Sequence, residues 1–200
     1  MVTINAIDSN IPIELSKGGT NATSFATNTG IVKYDGTSLV TSSTALIDSS
    51  NRMTNTSQPA FLAYLNTTVV NVTGDGTVYT VIFDTEVFDQ NSNFNLATST
   101  FTSPLTSKIN FTASVYLTGG TVMSSGVLSI VTSNRTYKIA PPYANGGVTS
   151  TINGCLSVLA DMDAADVATV TIVASDTGGK IDDVLGNATP FTFFSGYIVC

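Results

Sequence analysis

Residues 109–117 alternate without a break. Ile109, Phe111, Ala113, Val115 and Leu117 are apolar, and Asn110, Thr112, Ser114 and Tyr116 between them carry polar groups. A period of two puts each set on its own face of an extended chain, as in an antiparallel strand with one side on a core and the other toward solvent. On a helix the same residues would be scattered around the circumference. Further strands are expected over 78–83, 127–132, 152–159, 167–174 and 191–199, separated by Gly, Asn, Asp and Pro clusters at the spacing of a sandwich. No segment carries a capped helical pattern of useful length, so the predicted class is all-β.

Composition narrows the partners. The chain is 42% apolar but only 10% charged, and Thr, Ser and Asn take the place of charge on strand faces and in turns. A net charge of -7 argues against nucleic acid or an anionic membrane as partner. No window approaches the roughly 18 consecutive apolar residues of a membrane span, so no membrane insertion is expected. The pairs Gly18-Gly19, Gly119-Gly120, Gly146-Gly147 and Gly178-Gly179 precede neither Lys-Ser nor a helix, which makes them tight turns and not phosphate cradles. No cofactor is expected.

Short landmarks recur in a fixed order along the last 143 residues. They are Gln58-Pro59-Ala60-Phe61, then Val81-Ile82-Phe83-Asp84, Asn93-Phe94-Asn95, Thr100-Phe101-Thr102-Ser103-Pro104, the alternating strand, a second apolar strand from Gly154 to Leu159, and Phe193-Phe194-Ser195-Gly196-Tyr197. This series resembles the globular head of complement component q, one of the tumour necrosis factor-like jelly rolls. The resemblance implies an antiparallel jelly-roll β-sandwich over 58–200, a homotrimeric recognition head and no enzymatic activity. Where that family has Gly-x-Tyr-x-Phe, this chain has Ser107-Lys108-Ile109-Asn110-Phe111, which keeps only the final aromatic. Calcium-binding members place acids just before the late Gly-rich strand; residues 145–153 contain none, so the resemblance carries over no calcium site.

Residues 1–57 differ in kind. They are polar, lack a long amphipathic run, and cannot bury much apolar surface alone. Such an extended segment either stays flexible or gains order by winding with two further copies, which a trimeric head would supply. Gly18-Gly19-Thr20-Asn21-Ala22-Thr23-Ser24 resembles a segment that recurs in bacteriophage tail-fibre and related viral fibre proteins, often just before a receptor-binding head. Met1 to Asp8 has no basic region, apolar core or small-residue cleavage site, so no secretory signal is expected there.

The sequence contains no histidine, which removes Ser-His-Asp and Cys-His arrangements, His-based zinc sites and the usual general base near neutral pH. Catalytic residues are therefore expected to be none. Paired carboxylates remain as the alternative for cleaving sugars: Asp84, Glu86 and Asp89; Asp161, Asp163 and Asp166; or Asp182 and Asp183. Each group lies beside an expected turn, where Asp bends and caps the backbone. Asp161, Asp163 and Asp166 are also weak candidates for a cation, though they lack the Gly and distal Glu of a calcium-binding helix-loop-helix motif. Cys155 reads as a small buried thiol and Cys200 as a terminal one, with a disulfide between them as the alternative. Tyr64, Tyr79, Tyr116, Tyr137, Tyr143 and Tyr197 suit the core or a trimer seam, and otherwise a sugar-binding surface.

The expected function is a virion fibre or spike protein. Its residues 1–57 dock to a tail or capsid protein, and its head recognises a host-surface glycan or receptor protein. The expected location is the virion surface, with an extracellular or cell-surface location as the alternative. Lys138 to Asn145 is the best receptor-binding candidate, being long and carrying Pro141, Pro142, Tyr143 and Asn145. The alternatives are an architectural decoration protein, a bacterial surface adhesin and a carboxylate-dependent polysaccharide depolymerase.

Overall fold

The structure is a computed structural model that describes residues 30–145 and 150–199. The fibre-like segment at Gly18 to Ser24, the N-terminal residues, Gly146-Gly147, the side chain of Asn145 and Cys200 lie outside the described residues. The chain divides between Ser57 and Gln58 into two units. In the first, β1 (Gly30–Tyr34), β2 (Leu39–Ile47) and β3 (Met53–Asn55) form a three-stranded antiparallel sheet. Its turns are fixed by acids: Asp35 accepts the amides of Thr37 and Ser38, and Asp48 accepts those of Ser50 and Arg52. Among its described residues only Ser42 is buried, so part of the N-terminal segment has secondary structure with almost no core.

The second unit is all strand. In chain order it comprises β4 (Ala60–Tyr64), β5 (Val69–Thr73), β6 (Tyr79–Thr80), β7 (Thr85–Gln90), β8 (Phe94–Asn95), β9 (Thr100–Thr102), β10 (Ser107–Gly120), β11 (Met123–Thr132), β12 (Thr136–Ile139), β13 (Tyr143–Asn145), β14 (Ser150–Met162), β15 (Val167–Asp176), β16 (Asp182–Val184) and β17 (Phe193–Val199). One sheet runs β13-β14-β10-β17-β4-β7, with β16 paired to the end of β10 and β5 paired to β16. The other runs β12-β11-β15-β9-β8, with β6 on β15. The strand pairings are antiparallel, and one apolar cluster draws on both sheets, which makes a jelly-roll sandwich.

β10 is the central strand, and its alternation reads as expected. Ile109, Phe111, Ala113, Val115 and Leu117 are fully buried, while its other face looks away from the core. Around Phe111 stands a cluster of phenylalanines. The ring of Phe61 stacks on Phe94 with centroids 4.6 Å apart and on Phe101 at 5.2 Å, and meets Phe194 edge-on at 5.0 Å. Phe194 in turn stacks on Phe111 at 5.5 Å and on Phe83 at 6.1 Å. These spacings are those of favourable offset and edge-to-face pairs. Gly196 is a consequence of this packing, since a Cβ there would lie 2.7 Å from both the Phe61 and the Phe111 ring.

Two details differ from the sequence expectation. Of the strand expected over 78–83, only Tyr79 and Thr80 pair as a strand; Val81 and Phe83 are buried, and the Phe83 amide donates to the Ser99 hydroxyl at 2.7 Å. Cys155 is exposed, not buried, and is a free thiol. The core-facing positions of β14 are Ile152, Gly154, Leu156, Val158 and Ala160, paired with the core-facing residues of β10. Cys155 alternates with these positions and therefore faces solvent.

Phe61→Ala removes a buried ring that meets four other phenylalanine rings. It is expected to cost about 3–5 kcal/mol of stability, read as a lower denaturant midpoint without change in far-ultraviolet dichroism at zero denaturant.

Candidate functional site

The face of the β13-β14-β10-β17-β4-β7 sheet turned away from the core is the most distinctive surface of the head. Strand registers place its residues in transverse rows. The first is Leu159, Asn110, Tyr197, Ala60 and Gln90; the second Ser157, Thr112, Ser195, Leu62 and Phe88; the third Cys155, Ser114, Phe193, Tyr64 and Thr85. None of these residues is charged, whereas the next row of the same face holds Lys108 and Asp161. Leu159 and Tyr197 are more than half exposed, and Phe88 and the adjoining Phe191 nearly so. The polar groups tie neighbouring strands together: the Asn110 amide donates to the Tyr197 hydroxyl at 3.0 Å, and the Thr112 and Ser157 hydroxyls share a hydrogen bond of 3.0 Å. Leu62, Tyr64, Val87, Pro190 and Phe193 line a shallow apolar cleft of about 260 Å³ at one side of this face. An uncharged area with exposed aromatics, bordered by charged residues, has the composition of an interface core.

The candidate receptor-binding residues separate. Lys138 lies in β12 and Tyr143 in β13, so the supposed long loop is two short strands joined by a crossover of Ala140, Pro141 and Pro142. Pro141 is buried, and its ring fills the space above the inward-facing Gly154, where a Cβ would lie 2.7 Å from it. It is packing and is not available to a receptor. Pro142 and Tyr143 are exposed. On the opposite sheet, Val127, Val131, Val173 and Lys138 contribute to a groove of about 320 Å³.

Asp161, Asp163 and Asp166, the weak candidates for a cation, each serve other groups. Asp161 forms an ion pair with Arg135 at 2.7 Å and accepts a bond from the Tyr137 hydroxyl, and the guanidinium holds its carboxyl down at about 2. Asp163 accepts from the Thr106 hydroxyl, and Asp166 accepts from the Asp163 amide and the Asn134 side chain. Asp84 accepts the amides of Asn66 and Thr67, and Asp89 those of Asn93 and Phe94, so both serve turns. Neither the cleft nor the groove is lined by a carboxylate. Among the described residues no three or more Asp, Glu, Cys or His side chains come close enough together to hold a metal ion.

Asp182 is different. It is 0% exposed, and neither carboxylate oxygen has a hydrogen-bond partner. Burial, with the charges of Asp176 and then Asp183, pushes its carboxyl up to about 6. Asp183, paired with it in sequence, points to other work and accepts the Asn71 amide at 2.7 Å. The partner in space is Asp176, at the end of β15, whose Oδ2 is likewise buried and unpartnered. Burial raises the Asp176 carboxyl, but bonds from the Thr121 hydroxyl and the Gly178 amide outweigh it and hold the group below its ordinary value. The sequence signal for this pair is that Asp182 occupies a core-facing position two residues before the buried Val184.

No family model and no curated protein sequence matches the chain. Solved structures do. The globular domain of zebrafish complement 1qA superposes with a TM-score of 0.50 at 16% identity, over 72% of this chain and 98% of that one. Murine APRIL superposes with a TM-score of 0.48 at 10% identity, over 71% of this chain and 99% of that one. The second unit has a jelly-roll fold like that of the complement 1qA globular domain.

Because the folded-state value of Asp182 is raised to about 6 from 3.8, the folded protein binds this proton more tightly than the unfolded chain. The contribution to stability is therefore full below about pH 4 and is lost as pH rises to about 6. In chelator-treated buffer, the stability of wild type relative to Asp182→Asn is expected to fall across that interval in urea titrations, and to be flat above about pH 7.

Proposed function

We propose that this protein is the trimeric attachment head of a virion fibre or spike, and that it recognises a glycan or protein on the host surface. The observation that carries this reading is the uncharged middle of the solvent face of the β13-β14-β10-β17-β4-β7 sheet, three rows deep. Leaving Leu159, Tyr197 and Phe88 in water costs free energy that burial against further copies of the same face would recover. Three copies is the number implied by the resemblance to complement-q heads. Residues 1–57 then attach to a tail or capsid protein, which agrees with the likeness of Gly18 to Ser24 to viral fibre segments, and the site of action is the virion surface. Multivalent contact by three sites per head, and many heads per particle, gives firm adhesion from individually weak contacts. Pro142 and Tyr143, exposed at the β12–β13 crossover and on β13, are the receptor-facing residues of this proposal.

An architectural decoration protein would use the same assembly without a receptor. A polysaccharide depolymerase receives less support, since Asp84 and Asp89 are committed to backbone amides.

Labelled full-length protein is expected to bind host cells or a host glycan. Tyr143→Ala should weaken that binding roughly tenfold by removing one aromatic contact per head. Tyr197→Glu should weaken it by roughly 10²-fold or more, because a charge in the seam separates the copies and removes avidity. Purified protein that binds neither host cells nor any glycan on an array would reject the recognition reading in favour of the architectural one.

A further inference from the structure

A buried carboxylate with no hydrogen-bond partner is costly, and two such carboxylates side by side are costlier. Asp182 is fully buried with both oxygens unpartnered, and Asp176 brings a third unpartnered oxygen to the same place. The backbone has been kept bare around them. A Cβ on Gly120 would lie 2.5 Å from Asp182 Oδ1 and 2.7 Å from Asp176 Oδ2, and a Cβ on Gly74 would lie 3.0 Å from Asp182 Oδ2. Three segments distant in sequence therefore meet at these oxygens: the end of β5, the β10–β11 turn, and the stretch from Asp176 to Asp182. The other charged groups nearby do not neutralise the pair. Asp183 is bound to the Asn71 amide, Asp75 to the Thr77 amide, and Lys180 is exposed, where its charge acts on Asp75.

We propose that Asp176 and Asp182 form a calcium site that locks the β5–β6 and β10–β11 turns to the segment between β15 and β16. The donor set is oxygen alone, without His or Cys, which selects a hard cation. Calcium suits it better than magnesium because calcium accepts irregular coordination and takes carbonyl and water oxygens beside two carboxylates. The site lies outside the acid-free stretch 145–153. It also explains why a charged residue occupies a core-facing position of β16. Loading it replaces a repulsion between two carboxylates by attraction of both to one ion, so calcium should stabilise the head.

Equilibrium dialysis of the full-length chain against CaCl2 at pH 7.5, together with thermal unfolding in CaCl2 or chelator, tests this. Wild type should bind one calcium per chain and melt roughly 5 °C higher in millimolar calcium than in chelator, with a smaller effect of MgCl2. The rise should shrink at pH 5, where protons compete for Asp182. Asp182→Asn and, independently, Asp176→Asn should lose calcium uptake and the calcium-dependent rise while keeping the wild-type dichroism spectrum. If Asp182→Asn does not fold, the wild-type stoichiometry and Asp176→Asn decide. Wild type that takes up no calcium, with Asp182→Asn melting higher than wild type, would mean that the two carboxylates share a proton, and would overturn the proposal. Calcium uptake undiminished in both variants would place the ion elsewhere and overturn it equally.

Discussion

The contact on which the head depends is the packing of the Phe61 ring against Phe94, Phe101 and Phe194, extended through Phe194 to Phe111 and Phe83. These rings come from β4, β8, β9, β10, β17 and the segment after β6, so one cluster fastens both sheets of the sandwich. It also accounts for the landmarks in the sequence. Most of the landmarks deliver one ring to the cluster, and the glycine of Phe-Ser-Gly-Tyr leaves room for two of them. Motifs that look like unrelated short segments are separate views of one packing problem.

Legibility followed the same physics. β10 could be read directly because every inward residue is apolar and every outward one is polar. β14 could not, because its inward Gly154 is silent and the missing volume is supplied by Pro141 from the β12–β13 crossover. One contact thus produced two misreadings, a thiol placed inside and a proline placed outside. The stretch 78–83 misled differently: Val81 and Phe83 are buried through irregular backbone whose amides bond to Val170 and to the Ser99 hydroxyl, so hydrophobic pattern alone overstated the strand. Asp182 shows the converse limit. Its neighbour in sequence, Asp183, suggested a pair, but a strand sends consecutive side chains to opposite faces, and the true companion is Asp176 across a glycine turn.

The two surfaces singled out here differ in what they ask of chemistry. The solvent face of the β10 sheet asks only for burial, and its polar side chains already bond to one another across strands, so little is lost when water leaves. The Asp176–Asp182 pair asks for charge. The uncharged middle of that face bears on assembly and the acidic pocket on how firmly the turns at β5, β10 and β16 are held. Recognition itself would rest on small exposed features such as Tyr143, which a rigid and repeated scaffold can use without any reactive group.

The central claim is that the uncharged middle of the β10 sheet's solvent face is covered by further copies of the chain. Light scattering on the full-length protein coupled to size exclusion tests it most directly. The account predicts a mass three times the 20.7 kDa of one chain, unchanged on tenfold dilution in the micromolar range. A mass of one chain at those concentrations would contradict it, and would leave the exposed aromatics of β7 and β17 to be explained by a different partner.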